Sequence, residues 1–280
     1  MNTFKSTFLL TALTLLLMFI GLHFGGENGM VIAFVFSAAF NFFSYFYSDK
    51  IALATYNAQP ITREEMPRIY EVVDRLCGRM NIPEPKIYLI PTDSPNAFAT
   101  GRNPKHASVA VTAGILRLLG DDELEGVLAH ELSHVKNRDI LTSSIAATLA
   151  GAITMISRIA FWFGGSRDRR GGGLDGLLLL ILAPIAAMLI QMAVSRSREY
   201  EADATGAHLT GNPYALASAL EKIDGYSKRV PLIANQASAH LFIIQPFLGG
   251  GFGSLFSTHP PTAKRIERLI GRSSVSGQIQ

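Results

Sequence analysis

Gly120-Asp121-Asp122-Glu123-Leu124-Glu125-Gly126-Val127-Leu128-Ala129-His130-Glu131-Leu132-Ser133-His134-Val135-Lys136-Asn137 is the stretch on which the reading of this chain turns. Its acidic opening predicts a helix start. An Asp there accepts hydrogen bonds from free first-turn N–H groups, and carboxylates suit the positive end of the helix dipole. On the helix that follows, His130 and His134 stand four residues apart and project from one face, so both reach a single cation. Glu131 lies beside them, where a carboxylate can take a proton from a metal-activated water. The H-E-x-x-H spacing points to metal-assisted hydrolysis. Its bland competitor is an exposed helix that carries two histidines by coincidence.

A catalytic zinc site needs three protein ligands and an open position. The chain has one cysteine, Cys77, so thiolate sites are excluded and the ligands must be His, Asp or Glu. A single cysteine cannot form an intrachain disulfide, which fits a reducing compartment. Downstream, Ser195-Arg196-Ser197-Arg198-Glu199-Tyr200-Glu201-Ala202-Asp203-Ala204 supplies carboxylates. Glu199 and Asp203 share a helix face, so one can bind the metal while the other hydrogen-bonds a ligand histidine. Spacing alone leaves open which does which.

Of the 280 residues, 48% are hydrophobic and 17% charged, against about a quarter charged in an ordinary soluble domain. The mean hydropathy is +0.25. The apolar excess collects in four runs, at about 4–22, 30–47, 140–157 and 177–194, each near the length that spans a bilayer. The first is not read as a signal peptide, because no small-x-small cleavage site follows and a second run begins almost at once. Phe42, Phe43, Tyr45, Phe46 and Tyr47 suit an interfacial aromatic belt. Between the third and fourth runs lies a Gly- and Arg-rich loop, residues 164–173. If all four runs span, that loop faces away from the polar blocks, against the positive-inside tendency; a hairpin that dips in without crossing would ease the conflict. The net charge of +3 carries no basic face interleaved with aromatics, so a nucleic-acid partner is not expected.

These runs divide the chain into an N-terminal transmembrane hairpin (1–47), a first catalytic part with the H-E-x-x-H helix (48–139), a second membrane hairpin (140–194) and a second catalytic part with the third ligand (195–280). Within the first polar block, the patterning predicts an amphipathic helix over Arg63–Met80, strands at Lys86–Ile90 and Ser108–Thr112, and a helix near Gly114–Leu119. The expected fold is a mainly α integral membrane protein: about four apolar helices plus a zincin-like α+β catalytic domain with a small sheet. Charges flank the metal motif on both sides. At about 2.5–3.5 kcal/mol each in the bilayer centre, they place the site in water just outside the membrane.

Taken together, the apolar segments, His-Glu-Leu-Ser-His followed by Val-Lys-Asn-Arg-Asp, and Ser-Arg-x-Arg-Glu-Tyr-x-Ala-Asp resemble the HtpX-type membrane metalloproteases, distant relatives of the CAAX prenyl protease, over essentially the whole chain. The resemblance implies one zinc ion per chain held by His130, His134 and Glu199, with Glu131 as general base and Asp203 as the partner of His130. It also implies that Asn96-Ala97-Phe98-Ala99 is a substrate-binding edge strand, and that His259 and Arg265 lie near the catalytic centre. An exposed edge binds extended peptide through its backbone, and a donor such as His259 could stabilise a developing oxyanion.

The implied partners are polypeptides, above all membrane proteins under quality control, and the lipid bilayer. The implied location is the bacterial inner membrane, as a multipass protein with its catalytic domain facing the cytoplasm. The sequence offers two rival readings. Leu174-Asp175-Gly176 resembles the third-ligand motif of site-2-type intramembrane proteases, but the charged flanks of the metal motif oppose that reading. A non-catalytic zinc scaffold would use a closed four-ligand site, usually rich in cysteine.

Overall fold

The computed structural model describes residues 2–143, 145, 196–227, 229, 243 and 260–271. The third and fourth apolar runs fall outside the described residues except for 140–143 and 145, as do the loop 164–173, Leu174-Asp175-Gly176 and His259.

Helix α1, Asn2–Thr55, leaves helical geometry at Gly26, where φ is 61° and ψ is −150°. Glycine takes this conformation without a Cβ penalty, and the chain doubles back there. Asn41 Nδ2 donates to Thr14 Oγ1 (2.9 Å) across the two arms. Near the bend, a side chain on Gly21 would collide with the Gly29 carbonyl, and one on Gly29 with the Gly21 carbonyl. Small residues permit such close helix contact. One described helix is long and apolar enough to cross a membrane, Gly25–Thr55, and its Val31, Val35 and Phe36 are more than half exposed. The helix continues eight residues past the expected boundary at Tyr47, because Ala52, Leu53 and Tyr56 pack into the polar domain.

That domain holds β1 (Gln59–Pro60), α2 (Pro67–Met80), β2 (Lys86–Ile90), β3 (Ala97–Gly101), β4 (Ala107–Thr112), α3 (Ala113–Leu118), α4 (Asp121–Lys136), α5 (Arg196–Thr210), α6 (Pro213–Ser227) and α7 (Thr262–Ile270). The amphipathic helix expected from Arg63 starts at Pro67 instead. Glu65 Oε2 accepts from the Thr62 N–H (2.7 Å) and forms a turn ahead of it, and proline suits a first helical position. The sheet order is β1-β2-β4-β3. β2 and β4 run parallel, from Lys86↔Ser108 to Ile90↔Thr112. β3 is antiparallel to β4, from Ala97↔Val111 to Gly101↔Ala107, which makes it an edge strand.

Alternation of side chains along the strands divides the core. Ala97, Ala99, Val109 and Val111 join the main cluster with Leu128 and Leu132 of α4. Phe98 and Ala110 face the other way and pack with Ala52, Leu53 and Tyr56 at the end of α1. β3 therefore lies between α4, which carries the H-E-x-x-H motif, and the end of the long apolar helix α1. Thr112 fixes its start: the Thr112 hydroxyl oxygen accepts from Asn96 N (2.8 Å) and from Ile115 N (3.1 Å), so one side chain caps α3 and anchors the strand.

Candidate metal centre

Helix α4 begins differently from expectation. The capping position is Gly120, not an aspartate, and Glu123 Oε2 reaches back to accept from the Gly120 N–H (2.9 Å). The acidic first turn is present as foreseen, with Asp121, Asp122 and Glu123. Ten residues later, His130 and Glu131 are buried, and His134 is half-buried.

The structure brings Glu199 of α5 to these histidines. His130 Nε2 lies 3.7 Å from Glu199 Oε2, His134 Nε2 lies 3.5 Å from Glu199 Oε1, and the two Nε2 atoms are 3.3 Å apart. All three donor groups have ligand atoms within 4.8 Å of one another. A tetrahedral ion with metal–nitrogen bonds of about 2.0–2.1 Å holds its ligand atoms about 3.3–3.5 Å apart, so these donors fit an ion with little movement. Close helix approach makes this possible. A Cβ on Gly206 of α5 would stand 3.1 Å from His130 N, and one on Gly126 of α4 would stand 3.2 Å from Leu216 Cα of α6.

Each histidine presents Nε2 to the centre because its Nδ1 is held from behind. Asp203 Oδ1 is 2.9 Å from His130 Nδ1. Arg265 clamps Asp203 with Nε on Oδ2 (2.8 Å) and Nη2 on Oδ1 (2.7 Å), while its Nη1 donates to the Ile243 carbonyl (2.7 Å). Asp203 and Arg265 are 3% and 1% exposed, and removing one member of such a buried pair strands the other charge at a cost of about 3–5 kcal/mol. Burial tends to raise the Asp203 carboxyl, but the Arg265 guanidinium outweighs it and holds the carboxyl down at about 2.

A second set mirrors the first, and sequence reasoning missed it. Asp139 Oδ2 is 3.1 Å from His134 Nδ1, and Arg198 Nη1 donates to Asp139 Oδ1 (3.1 Å). Asp139 returns to His134 because Arg138 adopts φ 59° just past the end of α4. Arg198 precedes Glu199, so this pair also ties the helix of the third candidate ligand to the end of α4. The signal was present in Val-Lys-Asn-Arg-Asp, but a left-handed turn falls outside helical periodicity.

Glu131 Oε2 accepts from the backbone N–H of Ala99 on β3 (2.9 Å). Burial pushes the Glu131 carboxyl up to about 8; Glu199 adds to this, while His134 and the Ala99 N–H oppose it. His130 is lowered by burial, with Arg265 acting in the same direction. Burial also pulls on His134, but Asp139 and Glu199 outweigh it and raise the imidazole to about 9. Of the remaining described candidates, Ala97, Phe98 and Ala99 lie on β3 and Asn96 immediately precedes it. Asn96, Ala97, Phe98 and Ala99 are all buried, and Ala97 O accepts from Ile243 N (3.1 Å), so the edge is partly engaged by the chain itself.

Residues 63–273 match the sequence profile of Peptidase family M48. Proteins named Protease HtpX homolog are similar over nearly the full length. The one from Desulforapulum autotrophicum is 56% identical over 275 residues, covering 96% of this chain and 89% of that protein. The one from Thermococcus sibiricus is 58% identical over 270 residues, covering 93% and 92%. The one from Persephonella marina is 54% identical over 288 residues, covering all of both chains. Among solved structures, a crystal structure of S. mikatae Ste24p gives a TM-score of 0.55 at 20% identity. That likeness is one of fold, spanning 96% of this chain and 65% of the other.

Proposed function

The chain belongs to peptidase family M48 and is a membrane metalloprotease; from that premise we propose that His130, His134 and Glu199 hold one zinc ion and that Glu131 is the general base of an endopeptidase. The observation that carries this reading is the convergence of three donors within 4.8 Å beside a buried carboxylate. Two imidazoles and one carboxylate are a donor set that catalytic zinc uses, and the two Asp–His pairs keep both Nε2 atoms toward the ion. When bound, zinc supplies Lewis acidity, bringing the pKa of a water toward neutrality and polarising the scissile carbonyl.

The chain's own residues do the rest. Glu131 takes the proton of the attacking water and passes it to the leaving amine. The Ala99 N–H holds one of its oxygens, so the base is oriented by the same strand that we assign to substrate. Asn96, Ala97, Phe98 and Ala99 belong to the edge that pairs with extended peptide, Asp203 and Arg265 are positioning residues for His130, and His259 is the oxyanion donor. Residues 1–47 and 140–194 form two membrane hairpins, and the blocks 48–139 and 195–280 make the catalytic domain on the cytoplasmic face of a bacterial inner membrane. Its substrates there are damaged membrane proteins.

Glu131→Gln tests the mechanism. The expected result is lost cleavage of a casein-like unfolded substrate with zinc content retained, and continued cleavage would overturn the assignment.

A further inference from the structure

The position of β3 against α1 reaches beyond the metal centre. At one end of the strand, the Phe98 ring lies 6.0 Å from the Tyr56 ring. At the other end, the Arg102 guanidinium lies 5.1 Å from the centre of the Phe46 ring. From Tyr56, one residue past α1, back to Phe46 is ten residues, about 15 Å at a helical rise of 1.5 Å each. From Phe98 forward to Arg102, one residue past β3, is four residues, about 13 Å at a strand's rise. The near-equal lengths mean that β3 runs alongside α1 in the opposite sense and descends toward the membrane as the sequence advances. The loop after it reaches the level of Phe42, Phe43, Phe46 and Tyr47, which are 56%, 55%, 40% and 41% exposed. Exposed aromatic bands of this kind sit at the headgroup level of a bilayer.

The charge carried down by that loop is of one sign. Residues 101–107 contain Arg102 and Lys105 and no carboxylate. Lys105 and His106 are exposed and Arg102 is half-buried. Among the described residues, no carboxylate forms an ion pair with Arg102 or Lys105. On α1 at the same level, Lys50 Nζ stands 5.1 Å from the Tyr47 ring, next to Asp49. The loop is shaped rather than slack: Pro104–His106 form a short 3-10 turn, closed by a contact between His106 Nδ1 and Asn103 Oδ1 (2.9 Å).

We propose that Arg102 and Lys105, on the loop after β3, form a contact for the phosphates of anionic phospholipids and so seat the catalytic domain on the bilayer. This rests on the membrane reading given above and adds a contact outside the helices. Continuity with the exposed aromatic band favours lipid over a soluble partner. It also fixes the height of the centre: Ala99, which binds Glu131, is three strand residues above Arg102, roughly 10 Å. The scissile bond of a substrate then lies only a few residues from where that substrate leaves the headgroup layer.

The test uses the full chain with its metal, reconstituted in vesicles of phosphatidylcholine alone or mixed with phosphatidylglycerol. A nitroxide placed by Pro104→Cys reports depth, and the native Cys77 is buried and stays unlabelled. The label is expected to be shielded from a water-soluble nickel reagent when phosphatidylglycerol is present and more exposed without it. Arg102→Gln and Lys105→Gln should each lower the ratio of docked to undocked loop about fivefold, the attraction expected of one cation near an anionic leaflet. The double variant should cut a membrane-tethered substrate more slowly while cutting a soluble casein-like chain at the original rate. A label equally exposed in both lipids, in a chain that resists alkaline carbonate extraction, would overturn the loop contact alone. Release of the chain by carbonate would overturn the membrane reading and this proposal with it.

Discussion

Two histidines of one helix carry their protons differently because each meets a different pair of charges. His130 faces Asp203 already bound by Arg265, and burial, with Arg265, lowers its pKa. His134 faces Asp139 and Glu199 and is raised to about 9. A cation must therefore expel the His134 proton before it can take that nitrogen. Because the histidine is protonated below its raised pKa, metal affinity should climb with pH, about tenfold per unit, and level off above about 9; competition titrations with a chelating dye across pH would show the slope. Asp139→Asn should weaken metal binding about 10- to 100-fold with the fold retained, and should shift that levelling-off to lower pH. Unchanged affinity would reduce Asp139 to a packing role. His130, Glu131, His134, Glu199, Asp203 and Arg265 were all singled out in the sequence, because a helical repeat or a family motif placed them. Asp139 was not, since its approach to His134 depends on the left-handed Arg138, a conformation with no periodic signature.

Among the secondary-structure elements, the centre depends on how closely two helices lie. Gly206 is where α5 meets the backbone of α4 at His130. Gly206→Ala asks the neighbouring backbone to yield by a few tenths of an ångström, whereas Gly206→Val drives a branched side chain into it. The valine variant should lose about 1–3 kcal/mol, the usual cost of overpacking, and should bind metal more weakly as Glu199 moves away from the histidines. Thermal melts with and without metal would separate the two effects. The strands were legible from β-branched and aromatic alternation, and β2 and β4 appear within one residue of their expected bounds. β1 was missed because two residues, one of them proline, carry no pattern. The cap of α4 was misassigned to an aspartate because spacing cannot show that Glu123 folds back onto Gly120.

At the scale of the molecule, the sequence boundary at Tyr47 was drawn where hydropathy falls, but packing carries α1 to Thr55 and into contact with the sheet. Composition reports which residues prefer lipid and is silent on how far a helix continues as a structural post. The joining of that post to β3 has a consequence for threading. Since β3 descends toward the bilayer, a peptide paired antiparallel with it has its amino end at the membrane and its carboxyl end pointing outward. A reporter anchored by an N-terminal membrane helix should therefore be cut faster than the same reporter anchored at its C-terminus, as read from initial rates in one vesicle preparation. Equal rates would mean that substrates do not pair with β3 in this way. Faster cutting of the N-terminally anchored reporter would make the protease a one-way reader of tails, set by the sense in which a single strand runs along a single helix.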